Sequence, residues 1–371
     1  MSVVIRHDAL RIVATIFALG VSGVSTTAAG QAGSTEATPA QQAQVDSLFR
    51  DFAGPGVPGA AVVVARGSAI LLAKGYGLAD VEHEAPVSPA TAFRLASVTK
   101  QFTAASILAL VEDGSLRLDD HVADVLPGVP AYAAGVSVRH LLAHTSGLPD
   151  YEPLLGKGDG PQATDQTVLE LLQHVKRLYF KPGTSWRYSN TGYALLALIV
   201  EAKSGGSFAA YLRRRIFDRA GMPTAVAHVE GVDIIANRAY GHSKTASGWK
   251  RTDQNRTSAV LGDGGIYASA EELARWSAAL DAGAVLTAES VRMATSPEVL
   301  TSGAVTAYGF GWFLDKHRGH RRQRHEGDSI GFRTAIHRYP DDRLTVVVLT
   351  NRGAAPIDGL SDGVANIFLT P

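Results

Sequence analysis

The 371-residue chain contains no cysteine, which excludes disulfides, thiolate nucleophiles, cysteine-ligated zinc, iron–sulfur clusters and an N-terminal cysteine that could carry lipid. Covalent catalysis must therefore draw on serine, threonine, lysine or a carboxylate. Charge is sparse and balanced, with 35 Lys and Arg against 35 Asp and Glu, so no net field calls for nucleic acid or a strongly acidic partner. No His-Glu-x-x-His or comparable ligand spacing occurs, and no glycine-rich phosphate loop follows a strand. The sequence thus implies no metal and no cofactor, and a small-molecule or peptide substrate is the default. Past the N-terminus, no segment has the roughly 20 apolar residues that a membrane span needs.

What is present is a chain of 46% hydrophobic residues, ample for a sizeable core and long enough for two domains or one composite one. Arg6 and Arg11 precede an apolar stretch from Ile12 to Val24, followed by the small residues Ala28, Ala29 and Gly30. This order predicts an export signal over residues 1–30 and a periplasmic or secreted product. An uncleaved anchor is the rival reading, because no charge occurs between Arg11 and Glu36. The stretch loses hydrophobicity after Val24, which favours cleavage. Residues 31–44, rich in Ala, Gln, Thr, Gly and Pro, read as a flexible leader to a domain spanning 45–371.

Within that domain a helix is expected around Gln41 to Phe52, then a β-hairpin from Gly59 to Lys74 turning at Gly67-Ser68. Helical periodicity dominates from 96 to 294, at 98–112, Val138–Leu142, Val168–Leu178, Tyr193–Ala202, Phe208–Phe217 and Ala270–Leu280. Strand patterns return at Tyr308–Leu314, Arg324–Asp328, Phe332–Tyr339 and Leu344–Thr350, before a last helix from about Ile357 to Phe368. The fold class is therefore α/β of the α+β kind. An antiparallel sheet is built from both termini, 45–95 and 295–371, with a mostly helical insertion beside it.

Ser97-Val98-Thr99-Lys100 opens an apolar helical run, and the spacing puts hydroxyl and amine on one face of one turn. That is a nucleophile beside its base. A Ser in this place is commonly just the helix N-cap. The partial positive charge of a helix N-terminus favours a developing oxyanion at Ser97 and disfavours a second positive charge on Lys100, favouring its free amine as base. Ser247-Gly-Trp-Lys250 repeats the spacing, but Gly and Trp there suit a loop. Lys203-Ser-Gly205 sits at a helix stop and His317-Arg-Gly319 in a basic hairpin turn.

Ser97-x-x-Lys100, Tyr188-Ser-Asn190 and His325-Glu-Gly327 together resemble the penicillin-recognising serine hydrolases: class C β-lactamases, soluble DD-peptidases, D-aminopeptidases and related esterases. The likeness runs from about Val57 to Thr350 and includes Leu141-Leu-Ala-His-Thr-Ser-Gly-Leu148, Pro182-Gly-Thr-Ser-Trp-Arg-Tyr188 and Gly262-Asp-Gly-Gly-Ile-Tyr-Ala-Ser269. It implies an acyl-enzyme on Ser97, with Lys100 and Tyr188 moving protons, and an oxyanion hole of the Ser97 and Asp328 backbone amides. Tyr188 would serve leaving group and water in turn, because the omega-like loop offers no candidate glutamate of the class A kind. Asn190, His325 and Gly327 would face substrate, Gly327 by letting its backbone approach closely. Asn190 has a second reading, as N-cap of a helix beginning near Thr191.

Two departures bear on substrate. Histidine stands where β-lactamases carry lysine, and an imidazole only partly charged near neutrality holds a carboxylate less firmly, so β-lactam hydrolysis should be weak. Glu326 replaces a small residue; pointing inward, it would repel acids and welcome an amine. His144 reads as structural, and the basic run Lys316–Arg324 as a solvated hairpin or a carboxylate-attracting rim. The alternative to an enzyme is a non-turnover protein on the same scaffold that binds penicillin or peptidoglycan peptides.

Overall fold

Two uninterrupted apolar runs from opposite ends of the chain, Ala60–Arg66 (β1) and Leu344–Thr350 (β6), lie side by side at the heart of one sheet, with Val63 opposite Val347. This computed structural model describes residues 36–156, 158, 160–229 and 232–370. The expected export signal lies outside the described residues. The sheet also contains Ala69–Tyr76 (β2), Phe313–His317 (β3), His320–Ser329 (β4) and Phe332–Tyr339 (β5). Their order is β3-β4-β5-β6-β1-β2, every neighbour antiparallel.

The runs lack the usual apolar–polar alternation because both sheet faces are covered. Val62, Val64, Val346 and Val348 join a core with helices α1 (Pro39–Leu48) and α5 (Ile357–Phe368). Ala61, Val63, Val347 and Leu349 join the larger core with α2 (Lys100–Glu112), α3 (Asn190–Ser204) and α4 (Ala270–Asp281). Helix α3 is apolar on all sides because Thr191 to Val200 are all buried, as expected of a central helix. No single described helix is long and apolar enough to cross a membrane.

Several local expectations need correction. The leader is not irregular to residue 44: Thr38 and Gln41 form a capping box that starts α1 at Pro39. The 96–294 segment also holds strands, which are too short to show periodicity. Ile266–Ser269 pairs with both Ala92–Arg94 and Val226–Ala227, and His242–Thr245 pairs with Gly248–Arg251. Ser247 therefore lies in a hairpin turn, its hydroxyl bonded to that of Thr245. Near the C-terminus the strand expected at Tyr308 starts only at Phe313, and its partner starts at His320 instead of Arg324. Between them Arg318 and Gly319 both have positive φ, 51° and 89°, as a two-residue primed turn requires. The basic run is a hairpin with Lys316, Arg318 and Arg321 exposed, as expected, but Arg322 and Arg324 are tied up in ion pairs. Arg322 pairs with Asp315 at 2.7 Å and Asp362 at 2.6 Å, and Arg324 with Asp315 at 2.8 Å and Glu326 at 2.5 Å.

Asn351, fully buried just past β6, joins the sheet to the loops around it. Its Oδ1 accepts from the Gly59 amide at 2.7 Å, and its Nδ2 donates to the carbonyls of Leu78, Ala79 and Tyr240. Asn351→Ala strands these groups without solvent and should lower unfolding stability by about 3 kcal/mol. Denaturant titration against wild type checks this; a change below about 1 kcal/mol contradicts it.

Candidate active site

The segment carrying Ser97 is clamped from two sides. Strand Ala92–Arg94 runs into Leu95, whose amide donates to the Ile266 carbonyl at 2.8 Å and whose carbonyl accepts from Thr334 Oγ1 of β5 at 2.7 Å. Between these anchors and the helix, Ala96 is forced to φ +50°, a conformation costly for an L-residue and common where a functional group must be presented. Ser97 sits in a 3-10 turn, Ala96–Thr99, immediately before α2. Neither that turn nor α2 has a side-chain cap, so Ser97 is not serving as one.

Lys100 is completely buried. Its Nζ lies 2.8 Å from Asn190 Oδ1, 2.9 Å from the Asp263 carbonyl and 3.3 Å from Ser97 Oγ. Asn190 is the first residue of α3, following Ser189 at the cap position, and its amide is turned inward instead of capping. While Oδ1 takes the lysine, Nδ2 donates to Glu152 Oε1 at 3.1 Å. The omega-like loop, expected to offer no candidate glutamate of the class A kind, thus places a glutamate against Asn190. Glu152 opens a 3-10 turn within it and faces a narrow recess of about 40 Å³ with Ser97, Arg94, Tyr151, Asn190 and Asp263. Burial, reinforced by Asp150, pushes the Glu152 carboxyl above its ordinary range. Burial likewise raises Asp263 to about 6, opposed by Lys100 and the Tyr151 hydroxyl.

Tyr188 is carried on the segment leading to α3, and His144 holds that segment. His144 Nδ1 accepts from the Ser189 amide at 3.1 Å, its carbonyl accepts from Arg187, and its ring lies 4.3 Å from that of Tyr188. Buried at φ +59° and held well below the usual histidine range by desolvation, His144 has the structural part expected of it. The Lys100 Nζ lies 4.9 Å from the Tyr188 ring centre, and the phenol hydroxyl has no hydrogen-bond partner among the described residues. A buried polar group without a partner is costly unless something else uses it.

His325 differs from expectation in kind. It is buried, with Nδ1 2.7 Å from its neighbour Glu326's carbonyl and Nε2 3.1 Å from Tyr308 Oη. A carbonyl can only accept, so Nδ1 carries the proton and Nε2 accepts from the tyrosine. Burial, then nearby Lys100, depresses the imidazole to about 4. His325 is thus neutral at pH 7 and offers no cation to a carboxylate. Glu326 is bound to His337 at 3.0 Å and Arg324 at 2.5 Å, which offset burial and hold it down to about 2. Gly327 is obligatory, but for packing: a Cβ there would stand 2.2 Å from the Leu95 carbonyl and 2.2 Å from Thr334 Oγ1. Its lack of a side chain lets the nucleophile segment sit against β4.

Asp328 and Ser97 border the narrow recess and also a second, larger one of about 630 Å³, lined by Tyr188, Phe313, His325, Arg333, Pro356 and Ile357 among others. Arg333 is paired with Asp328 at 2.5 Å. Beyond Arg324, β4 pairs with β5 alone among the described strands, so His325 to Ser329 present a free backbone edge beside Ser97.

A family profile described as beta-lactamase matches residues 45–365. The chain belongs to the beta-lactamase family. Among relatives in this family of serine hydrolases, penicillin-binding protein 4* of Bacillus subtilis is 35% identical over 307 residues, covering 78% of this chain and 67% of that protein. A D-aminopeptidase of Gluconobacter oxydans is 31% identical over 317 residues, covering 85% of this chain, which spans only 59% of that protein's length. A penicillin-binding protein from Bacillus halodurans superposes with a TM-score of 0.75 at 28% identity, covering 87% of this chain and 98% of its own. The beta-lactamase family resemblance and the antiparallel sheet with flanking helices are both borne out.

His325 also gives a pH prediction. Its folded pKa lies below the ordinary 6.5, so its contribution to stability is complete above about 6.5 and is lost as pH falls through about 4. Replacing it by Asn should flatten the stability profile between those limits by about 2–3 kcal/mol. Thermal melts of both proteins at pH 4.5 and 7.5 decide it, parallel profiles meaning that folding does not depress the His325 pKa.

Proposed function

We propose that this protein is an exported serine hydrolase that forms an acyl-enzyme on Ser97 and cleaves an amide or ester bond, preferring amide substrates with a free amine near the scissile carbonyl. One observation carries the catalytic part: two of the three atoms facing the Lys100 amine, the Asn190 and Asp263 oxygens, can only accept. Held by these two oxygens, the amine has its third direction on the Ser97 hydroxyl at 3.3 Å, from which it takes a proton in its free-amine form.

Ser97 Oγ then bonds to the substrate carbonyl carbon while its proton passes to Lys100. The backbone amides of Ser97 and Asp328 hold the resulting oxyanion. Collapse breaks the bond to the leaving group, which takes a proton from the Tyr188 hydroxyl; Lys100 returns one to Tyr188. Water attacks the acyl carbon, giving a proton to Tyr188 as the Tyr188 hydroxyl passes its own to Lys100; as the bond to Ser97 Oγ breaks, Lys100 returns that proton to Ser97 and the acid product is released.

The substrate preference rests on charge. The narrow recess carries the Glu152, Asp263 and Asp328 carboxyls against one guanidinium, Arg94, beside Ser97, and about 40 Å³ admits an ammonium group but no large side chain. The remainder of the substrate falls into the larger recess. There His325 is neutral and Arg333 already paired, so a β-lactam carboxylate finds little to hold it. The similarity to a D-aminopeptidase supports the same reading.

Fluorophosphonate labelling should be stoichiometric for wild type and absent for Ser97→Ala; an unlabelled wild type would leave a non-turnover binding protein. Glu152→Gln should lower kcat/KM for a D-aminoacyl p-nitroanilide by about 10–100-fold, the worth of a hydrogen bond to a charged group, and spare p-nitrophenyl butyrate. Equal losses on both would show that Glu152 does not select the amine. Nitrocefin should be the poorest of the three substrates.

A further inference from the structure

The Asp263 carbonyl that receives Lys100 belongs to a four-residue helical turn, Leu261–Gly264. That turn has little freedom. Gly262 lies so close to α3 that a Cβ would stand 2.2 Å from the Tyr193 carbonyl, and the Gly262 carbonyl accepts from Thr103 Oγ1 of α2 at 2.7 Å. Its first two amides, those of Leu261 and Gly262, would have no partner within so short a helix. Both donate, at 3.0 Å each, to the two carboxylate oxygens of Asp165.

Asp165 opens the helix Asp165–Leu171, is buried, and pairs with no Lys, Arg or His among the described residues. A buried carboxylate without a counter-ion is expensive, and here its only direct partners are the two amides of that turn. We propose that Asp165 is a positioning residue for Lys100, fixing the Leu261–Gly264 turn so that the Asp263 carbonyl meets the lysine amine and the amine's lone pair is aimed at Ser97. Asp165 does not line either recess beside Ser97, so it acts through the turn and not on substrate.

This inference rests on the acyl-enzyme reading above, and the test separates the two. The rate constant for fluorophosphonate labelling is measured for wild type, Ser97→Ala, Asp165→Asn and Asp165→Ala, with kcat and KM for p-nitrophenyl butyrate. Asp165→Asn keeps one acceptor oxygen and should slow labelling and lower kcat by about 10-fold, Asp165→Ala by about 100-fold, with KM within about twofold. Asn351→Ala, destabilised without touching the turn, should label at the wild-type rate per folded molecule. Should the Asp165 variants fail to fold, Thr103→Val decides: it frees the same turn from its other side and should lower kcat, not KM. Wild-type labelling rates in folded Asp165→Asn, or in Thr103→Val where the Asp165 variants do not fold, overturn the positioning role while leaving Ser97 as nucleophile. Failure of wild type itself to label overturns the acyl-enzyme reading instead.

Discussion

Removing a lysine amine entirely from water costs several kcal/mol unless every N–H finds a partner and the surroundings favour the form it takes. Lys100 imposes that requirement on this fold, and much of the site answers it. The Asn190 amide is turned inward at the start of α3, and a helical turn from a distant part of the sequence presents a backbone carbonyl. Glu152 fixes the orientation of the Asn190 amide from the other side. The turn that presents the Asp263 carbonyl is held by Asp165 and Thr103, which line neither recess. The reactive geometry is therefore set by the packing of three helical segments around one amine.

The cleft has two parts around Ser97. In the small recess the carboxyls of Glu152 and Asp263 meet Arg94; the large one combines the rings of Tyr188 and Phe313 and the neutral His325 with Glu326, Asp328, Arg333 and Asp358. Charges of β3 and β4 that could have reached into the larger recess are consumed in a network of Asp315, Arg322, Arg324, Glu326, His337 and Asp362. That network ties β3 and β4 to α5, so its first effect is on how the sheet is held. Its second is to keep Arg322 and Arg324 occupied by carboxylates.

The parts of the site legible in the sequence were those encoded by short spacing. Ser97 and Lys100 share a turn, and Tyr188 and Asn190 flank a helix start, so local pattern sufficed to single them out. Glu152 stayed hidden because it lies in an aperiodic loop, and only the tertiary path of that loop brings it to Asn190. The Asp263 acceptor is a backbone carbonyl, which no residue identity announces. His325 was visible as a residue but not in its charge state, which depends on burial and on the Tyr308 hydroxyl. Gly327 was visible too, while its purpose was not: the crowding comes from Thr334 across the β4–β5 pairing and from Leu95, far from it in sequence. For the fold, the long apolar runs marked β1 and β6 without difficulty. Strands of two to four residues, such as Val226–Ala227, are shorter than any period can reveal.

The sheet's construction from both ends of the chain has a consequence for how the protein is made. β1 cannot pair with β6, and Ser97 has no β4 beside it, until more than two hundred further residues have been made, because Thr334 and Gly327 emerge that far after Leu95. Contacts of such long sequence separation slow folding and delay it until the later strands are available. A nascent or prematurely terminated chain therefore holds the Ser-x-x-Lys pair without the wall that supports it, and acquires a reactive serine only as its last strands close.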